Sequence, residues 1–600
     1  MLKNMKKNII ISVMTLAVAG LSLTACSEFL DKEYDASLSE EKVFGNANET
    51  RGFLANIYTN LPDGLAPLTD DQWTGASRDC ITDNAVTSWG IHIYTPVGND
   101  AYTASNHPML GQWNVDLYGI RKCNQFMKQA KSSVIGNAST TDDDNHLYDR
   151  NIAEARLLRA LFHFDLVCWF GAAPIITEVF EVTSDMNISR TPAVDVLKWV
   201  VSECDDIINS GTLPFYYMNQ AANWGRVSAA TAYALKCRAL LYGASPLNSE
   251  SGKITWADAA KAAEDFITAN DNAGKPYRLY TSAEHPTESV YWESVTDARY
   301  NPEIILARSI WGTNQVEKVF LPVGFTGAFS GAGRTNPTQN FVDCFEMADG
   351  KKIGDVGSGY NDQKPFDNRD PRLAQLVFYH GMTWGRTDQS EQRELDMSSN
   401  EGAPGVDYSS AMGGTYTGYY LKKWVNNISC KIGETYNHSW PIFRYTEILL
   451  NAAEAYCESG DLPKALGYIN QIRDRAGMPQ YSGLTKDELR DRIHNERRIE
   501  LAFEDHRMFD LRRWKAYESG NEGVTPNAPY DITNSYKQLL TLYGVRITGT
   551  KAAPIFTYGL AENVNSRVFN TPKNYLFPIP NNEVKRAPNL GQNPGWEIGE

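Results

Sequence analysis

Long apolar runs are what this 600-residue sequence has least of. Beyond residue 25 no stretch approaches the ~20 apolar residues that a membrane-spanning helix needs, so any membrane association has to come from the N-terminus. Basic charge is also short. The 57 Lys and Arg stand against 72 Asp and Glu, a formal net charge of -15, which argues against a nucleic-acid binder, since that function needs a basic face to displace counterions. Closely spaced cysteines are missing: after Cys26 come Cys80, Cys123, Cys168, Cys204, Cys237, Cys344, Cys430 and Cys457, never nearer than 27 residues. No C-x-x-C zinc ribbon or redox motif is built that way, although spacing leaves disulfide pairing open. The nine His form no H-E-x-x-H, and no G-x-S-x-G, phosphate loop or dinucleotide fingerprint appears. No catalytic residues, cofactor or bound metal are therefore expected. Asp142-Asp143-Asp144 could touch a cation but lacks the alternating ligands of an EF-hand and reads as a solvated loop.

What is present begins with an export address. Lys3, Lys6 and Lys7 precede the apolar segment Ile9–Leu23, too short for a comfortable span, and Leu23-Thr24-Ala25-Cys26 resembles a bacterial lipobox. Residues 1–25 are expected to be removed and Cys26 to be acylated (a palmitate-type anchor), since each buried CH₂ contributes ~0.8 kcal/mol of membrane affinity. Residues 26–40 read as a polar tether.

The rest alternates helical hairpins with long loops. Ile448, Ala452, Ala455 and Tyr456 share one helix face; Gly460-Asp461 breaks the helix; Pro463 suits the first turn of the next; Ala465, Leu466, Ile469 and Ile472 form its stripe; and Gly477 stops it. Tyr456, Gly460 and Ala465 have tetratricopeptide-like relative spacing within the 445–477 unit. Further pairs are expected at 153–168 with 192–208 and at 229–242 with 256–267. One hairpin cannot bury its apolar face alone, so several must stack. The fold class is all-α, a tetratricopeptide-like hairpin scaffold with long loop-rich insertions and a few short strands. The insertions, roughly 61–111, 270–333, 350–418 and 520–572, are rich in Gly, Pro, Asn and Ser yet hold many Trp and Tyr, which disfavours disorder and makes them the place for a ligand site.

Motifs in fixed order run along the chain: Phe29-Leu30-Asp31 after the lipobox; Ala155 to Leu166 with Phe170-Gly171-Ala172-Ala173-Pro174; Gly225 to Ser228; Asn336-Pro337-Thr338-Gln339; Phe345 to Gly350; Asp370-Pro371-Arg372-Leu373; Arg444 to Leu450; Asn495 to Glu504; Phe509 to Trp514; Leu576 to Pro580; and Gln592 to Trp596. In this order they resemble the SusD/RagB family of outer-membrane nutrient-uptake lipoproteins. The resemblance implies an N-terminal helical part at 41–270 with one ligand loop and a C-terminal part at 271–600 with further ligand loops. It implies a non-catalytic binding protein, lipid-anchored at the outer membrane and surface-exposed, that captures oligo- or polysaccharides and passes them to a SusC-like TonB-dependent transporter. Peptide capture on the same scaffold is an alternative, as is a secreted glycoside hydrolase.

The densest charged motif, Asn495–Trp514, sets Glu496, Glu500 and Glu504 four residues apart among several Arg. A hydrolase would use two such carboxylates; an ion-pair network between helices fits the pattern better. A glycan site needs flat apolar rings beside polar groups that bond a sugar's hydroxyl rim. In relatives, ligand residues tend to come from two regions, and the chemistry in them selects Trp73, Arg78, Asp83, Asn84, Trp89 and Tyr94 from the first loop and Tyr291, Trp292, Arg299, Tyr300 and Trp311 from the second. Trp113, Trp514 and Trp596 are expected to be packing residues.

Overall fold

The computed structural model describes residues 39–596 except 70–74, 90–91, 137–145, 182, 219, 250–251, 282–300, 326–330, 386–391, 411–412, 426–434, 522 and 565. The signal segment, Cys26, the Asp142–Asp144 run and Cys430 lie outside the described residues.

The longer helices are α1 (Ala47–Ile57), α2 (Leu110–Gln129), α3 (Leu147–Phe170), α4 (Ala193–Ser210), α5 (Ala229–Ala244), α6 (Trp256–Asn272), α7 (Tyr445–Ser459), α8 (Leu462–Ala476), α9 (Lys486–Glu500) and α10 (His506–Arg513). From α2 to α8 each packs on the next, α6 meets α7 across the long intervening sequence, and α9 also packs on α7. The three expected hairpins, α3/α4, α5/α6 and α7/α8, are therefore real and stack into one scaffold. Their ends follow the local chemistry. Gly460 and Gly477 close α7 and α8 in the left-handed region, at φ 96° and 72°. The Asp461 side chain caps α8, and Thr255 and Thr485 form capping boxes with Asp258 and Glu488. α3 departs from a single apolar face. Nearly its whole length is buried, including Arg159, His163 and Asp165, as befits a helix surrounded by neighbours.

The insertions hold more regular structure than their composition suggests. β1 (Ala85–Thr87) pairs antiparallel with β3 (Thr335–Pro337), and β2 (Ile304–Thr313) with β4 (Tyr436–Arg444). β5 (Tyr543–Thr550) and β6 (Ala553–Leu560) form a hairpin with eight paired residues on each side. The 520–572 segment thus corrects the expectation of loop. Tyr543, Val545 and Ile547 alternate on its buried face, a period of two diluted by three glycines. The β2–β4 register shifts beside Pro441, a residue without a ladder donor. The seven described cysteines are free, and all but Cys168 are buried; they act as small apolar groups.

Candidate functional site

The charged motif came out as the scaffold's ionic core. Glu496 and Glu500 lie at the end of α9, and Glu504 lies in the turn before α10; all three are buried. Glu496 faces Arg372 and Arg473; Glu500 faces Arg372, Arg444 and Arg475; and Glu504 pairs with Arg444 at 2.8 Å and with Lys423 at 2.5 Å. Burial pushes the Glu504 carboxyl up, but Arg444 and Lys423 more than reverse this and hold it below the usual range. None of the three carboxylates offers a free face to a glycosidic bond. Glu454 is similarly gripped by both Arg513 nitrogens, at 2.5 and 2.6 Å, and by Trp514 Nε1 at 2.7 Å.

Several first-loop residues are drawn into the same network. A short turn at Arg78–Ile81 starts from Ser77, whose Oγ accepts from Asp79 N. Arg78 pairs with Asp505 and donates to Asp63 O at 2.9 Å. Asp83 accepts two bonds from Arg507 at 2.9 and 2.8 Å and lies 2.8 Å from Arg498 Nη2. Those guanidiniums bring its carboxyl below the usual range despite burial. Asn84 donates to Asp79 Oδ2 and accepts from Arg498 Nε. Tyr94 is buried, which pushes its hydroxyl well up. The structure therefore corrects the picture of Asp83, Asn84 and Tyr94 as open ligand contacts: their side chains face inward. Arg78 is half-buried and lines, with Asp165, Trp169 and Arg238, an interior cavity of about 70 Å³, far below the ~300 Å³ at which ligand pockets begin.

Trp89, two residues past β1, is partly buried like Arg78, with its ring centroid 5.0 Å from the buried Arg334 guanidinium. Arg334 immediately precedes β3, so the β1–β3 pairing, with Thr87 opposite Thr335, joins the two loop regions across some 250 residues of sequence. The helix Gln315–Phe320 lies in the same layer, since Ala332 and Arg334 donate backbone bonds to Lys318 O and Val319 O. This helix also packs on the short helix Ala66–Thr69, just before Trp73. His438 on β4 meets Glu317 of the Gln315–Phe320 helix at 3.2 Å, both fully buried, and so ties the β2–β4 ribbon to this layer. Trp311 lies on β2 between Ile310, opposite His438, and Thr313, opposite Tyr436; of its side chain nothing is described.

Trp73, Tyr291, Trp292, Arg299 and Tyr300 fall outside the described residues, but their flanks are informative. Ala76 N donates to Pro67 O at 2.9 Å and Arg278 N to Pro302 O at 3.1 Å. The described residues on either side of each of these segments are thus hydrogen-bonded to one another. The structure accordingly brings Trp89 beside the segment that follows Trp311. Arg334 under Trp89 is a contact that the sequence does not signal: only β1–β3 pairing places it there.

The sequence model described as the SusD family matches residues 302–596, and one described as starch-binding associating with outer membrane matches residues 28–239. The chain belongs to the SusD/RagB family. Among curated relatives, SusD-like protein P2 of Formosa agariphila is 25% identical over 492 residues, 78% of each chain. SusD-like protein P25 of the same organism is 24% identical over 543 residues, 85% of this chain and 90% of its own. A solved SusD-like protein of Bacteroides fragilis superposes with a TM-score of 0.73 at 23% identity, covering 93% of this chain and 98% of that one. Surface glycan-binding protein A of Bacteroides uniformis superposes at 0.58 with 20% identity, covering 91% and 99%. At these identities the structural matches establish the SusD fold. No helix among the described residues is long and apolar enough to cross a membrane.

Proposed function

We propose that this SusD/RagB protein is a non-catalytic, lipid-anchored outer-membrane lipoprotein that captures oligo- or polysaccharides and hands them to a SusC-like TonB-dependent transporter. The observation that supports this most directly is Trp89: in a first loop whose Asp83, Asn84 and Tyr94 are buried, it is only partly buried and sets its ring against a buried Arg334. An aromatic face of this kind suits the C–H face of a sugar. Trp73, Tyr291, Trp292, Arg299, Tyr300 and Trp311 are proposed to complete the site. Two relatives' names point the same way, one solved neighbour being a SusD-like carbohydrate-binding protein of B. fragilis and another a surface glycan-binding protein. The ion-paired state of Glu496, Glu500 and Glu504 favours binding over hydrolysis.

Affinity electrophoresis of the chain from Ser27 onward against a glycan panel tests this reading. Retardation without released oligosaccharide is expected, and release that depends on a single carboxylate would overturn it. For the anchor, Cys26→Ala is expected to abolish lipid labelling and to move the protein out of the membrane fraction; unchanged membrane retention without the transporter would remove the lipobox.

A further inference from the structure

A cavity of about 20 Å³ lies where α10, the first loop and the segment after β6 meet, on side chains that the Trp89 site does not use. That is room for one water-sized body, which needs about 10–15 Å³. Ile81, Val97 and Met508, all buried, make part of its wall apolar.

Two guanidiniums line it. Arg512 of α10 is 4% exposed and Arg567 is 7% exposed. Arg512 lies over the Phe577 ring, 4.6 Å from its centroid, and its Nη1 is buried without a hydrogen-bond partner. Its whole guanidinium has no ion pair and no hydrogen bond among the described residues. Arg567 gives Nε and Nη2 to the backbone carbonyls of Cys80, Thr82 and Ala85. Its Nη1 has no hydrogen-bond partner, and no carboxylate lies within ion-pair distance, among the described residues. Asp83, the acid whose field reaches Arg567, is already held by Arg498 and Arg507. A guanidinium does not shed its proton in a protein, and a buried charge without a counter-charge is costly.

The neutral groups at the cavity are donors too. Tyr517 stacks on Phe569 with ring centroids 3.8 Å apart, and its hydroxyl, which Arg512 and Arg567 both influence, has no hydrogen-bond partner among the described residues. Tyr102 Oη accepts from Asn574 Nδ2 at 3.1 Å, which leaves its own O–H to give. Burial pushes both hydroxyls up, so both keep their protons at neutral pH. Oxygens at the lining are engaged already: Asn574 Oδ1 accepts from Asn570 N, and Thr82 O from Arg567. A water would bring two hydrogens into a ring of donors, whereas an anion only accepts.

We infer that this cavity is a binding site for a single monatomic anion, chloride in a physiological medium. The anion accepts from Arg512, Arg567 and Tyr517, charge-assisted contacts stronger than neutral ones, and supplies the counter-charge that the neighbouring carboxylates do not. It joins α10 to the segment after β6 and, through Arg567, to the turn that leads into β1. The inference stands apart from the glycan reading, because no side chain is shared.

Chloride titration of the acylated full chain in detergent tests it, starting from protein dialysed into sodium gluconate, whose anion is too large for the cavity, and holding ionic strength constant. The thermal midpoint is expected to rise by about 2 °C and to saturate, as binding to the folded state alone requires. Crystals grown in bromide should show an anomalous peak in contact with Arg512 and Arg567. Arg512→Met should erase both the rise and the peak. Tyr517→Phe keeps the ring stack and both charges; it should raise the half-saturating chloride at least threefold, and it carries the test where Arg512→Met does not fold. Trp89→Ala should leave the rise unchanged. A midpoint indifferent to chloride, no bromide peak in the cavity, an equal rise in folded Arg512→Met, half-saturation unmoved by Tyr517→Phe, or loss of the rise in Trp89→Ala would each overturn the proposal. Glycan binding at Trp89 would survive all of these outcomes.

Discussion

The first loop, residues 75–94, and the α9–α10 region, residues 486–514, are built from the same kinds of residue: Arg, Asp or Glu, Asn, and an aromatic. By chemistry alone the loop reads as a binding surface and the helices read as scaffold. In three dimensions each contributes to both. Asp83 and Asn84 from the loop are locked by Arg498 and Arg507 from the helices, and Trp89 is partly buried against Arg334. The helices saturate Glu496, Glu500 and Glu504 yet leave atoms of His494, Asn495 and Arg507 without a hydrogen-bond partner among the described residues. Whether a polar residue can serve a ligand is set by its unspent hydrogen-bonding capacity after folding, because a buried group must first satisfy its own desolvation.

The strongest way to break this comparison is to remove a saturated carboxylate. Glu500→Ala takes one buried carboxylate from Arg372, Arg444 and Arg475, each of which keeps another partner in Glu496, Glu504 or Glu303, and breaking a buried ion pair costs about 3–5 kcal/mol. Urea unfolding should show that loss, with glycan affinity of the remaining folded protein intact; a change below about 1 kcal/mol would mean that the network is dispensable.

Acid titration sharpens the contrast next. Burial pushes the Glu454 carboxyl up, but Arg513 overrides it and holds the group at about 2. Its contribution is therefore present above the ordinary carboxylate range and is lost as pH falls from about 4.5 towards 2; a shift of that size is worth about 3 kcal/mol at most. Asp79 and Asp165 have the opposite sign. Burial raises both to about 6, so the folded state holds their protons and pays as pH rises from about 4 through 6. The urea midpoint should consequently peak between these limbs, and Glu454→Gln should flatten the acid limb alone. An unchanged acid limb in that variant would place the acid sensitivity elsewhere.

On the binding side, Trp89→Ala should lower glycan affinity by about tenfold, the scale of one aromatic contact, with the fold retained, since Trp89 lies at the edge of the β1–β3 layer and is not fully buried. Unchanged affinity would move the glycan site away from the β1–β3 layer. The smallest effect is expected from Arg334→Lys. A lysine keeps the charge but loses the planar group beneath the indole, so affinity should fall about two- to fivefold; an unchanged affinity would mean that the buried Arg334 does not position Trp89 for the sugar.

Much of the scaffold was legible in the sequence, because its signals are local. Gly460, Asp461, Pro463 and Gly477 punctuate α7 and α8 through backbone preferences acting within a few residues, and the small apolar positions Ala452 and Ala465 repeat at the helical period. The β5–β6 hairpin was missed because Gly544, Gly549 and Gly559 made its alternation look like loop. The candidate ligand residues were the least legible. Arg78, Asp83 and Trp89 are equally suited to a sugar by type, and nothing within eleven residues separates them.

By itself, then, the amino-acid order determined the stacked helical hairpins and the ionic character of the Asn495–Trp514 motif, which follow from periodicity, turn chemistry and spacing along one chain, while its ordered motifs carried the resemblance to the family. Tertiary structure alone decided which polar groups are spent: it set Asp83 against Arg507, 424 residues away, and Trp89 against Arg334. Pairings at that distance arise from how the layers pack, and packing is a property of the whole chain that no local pattern encodes.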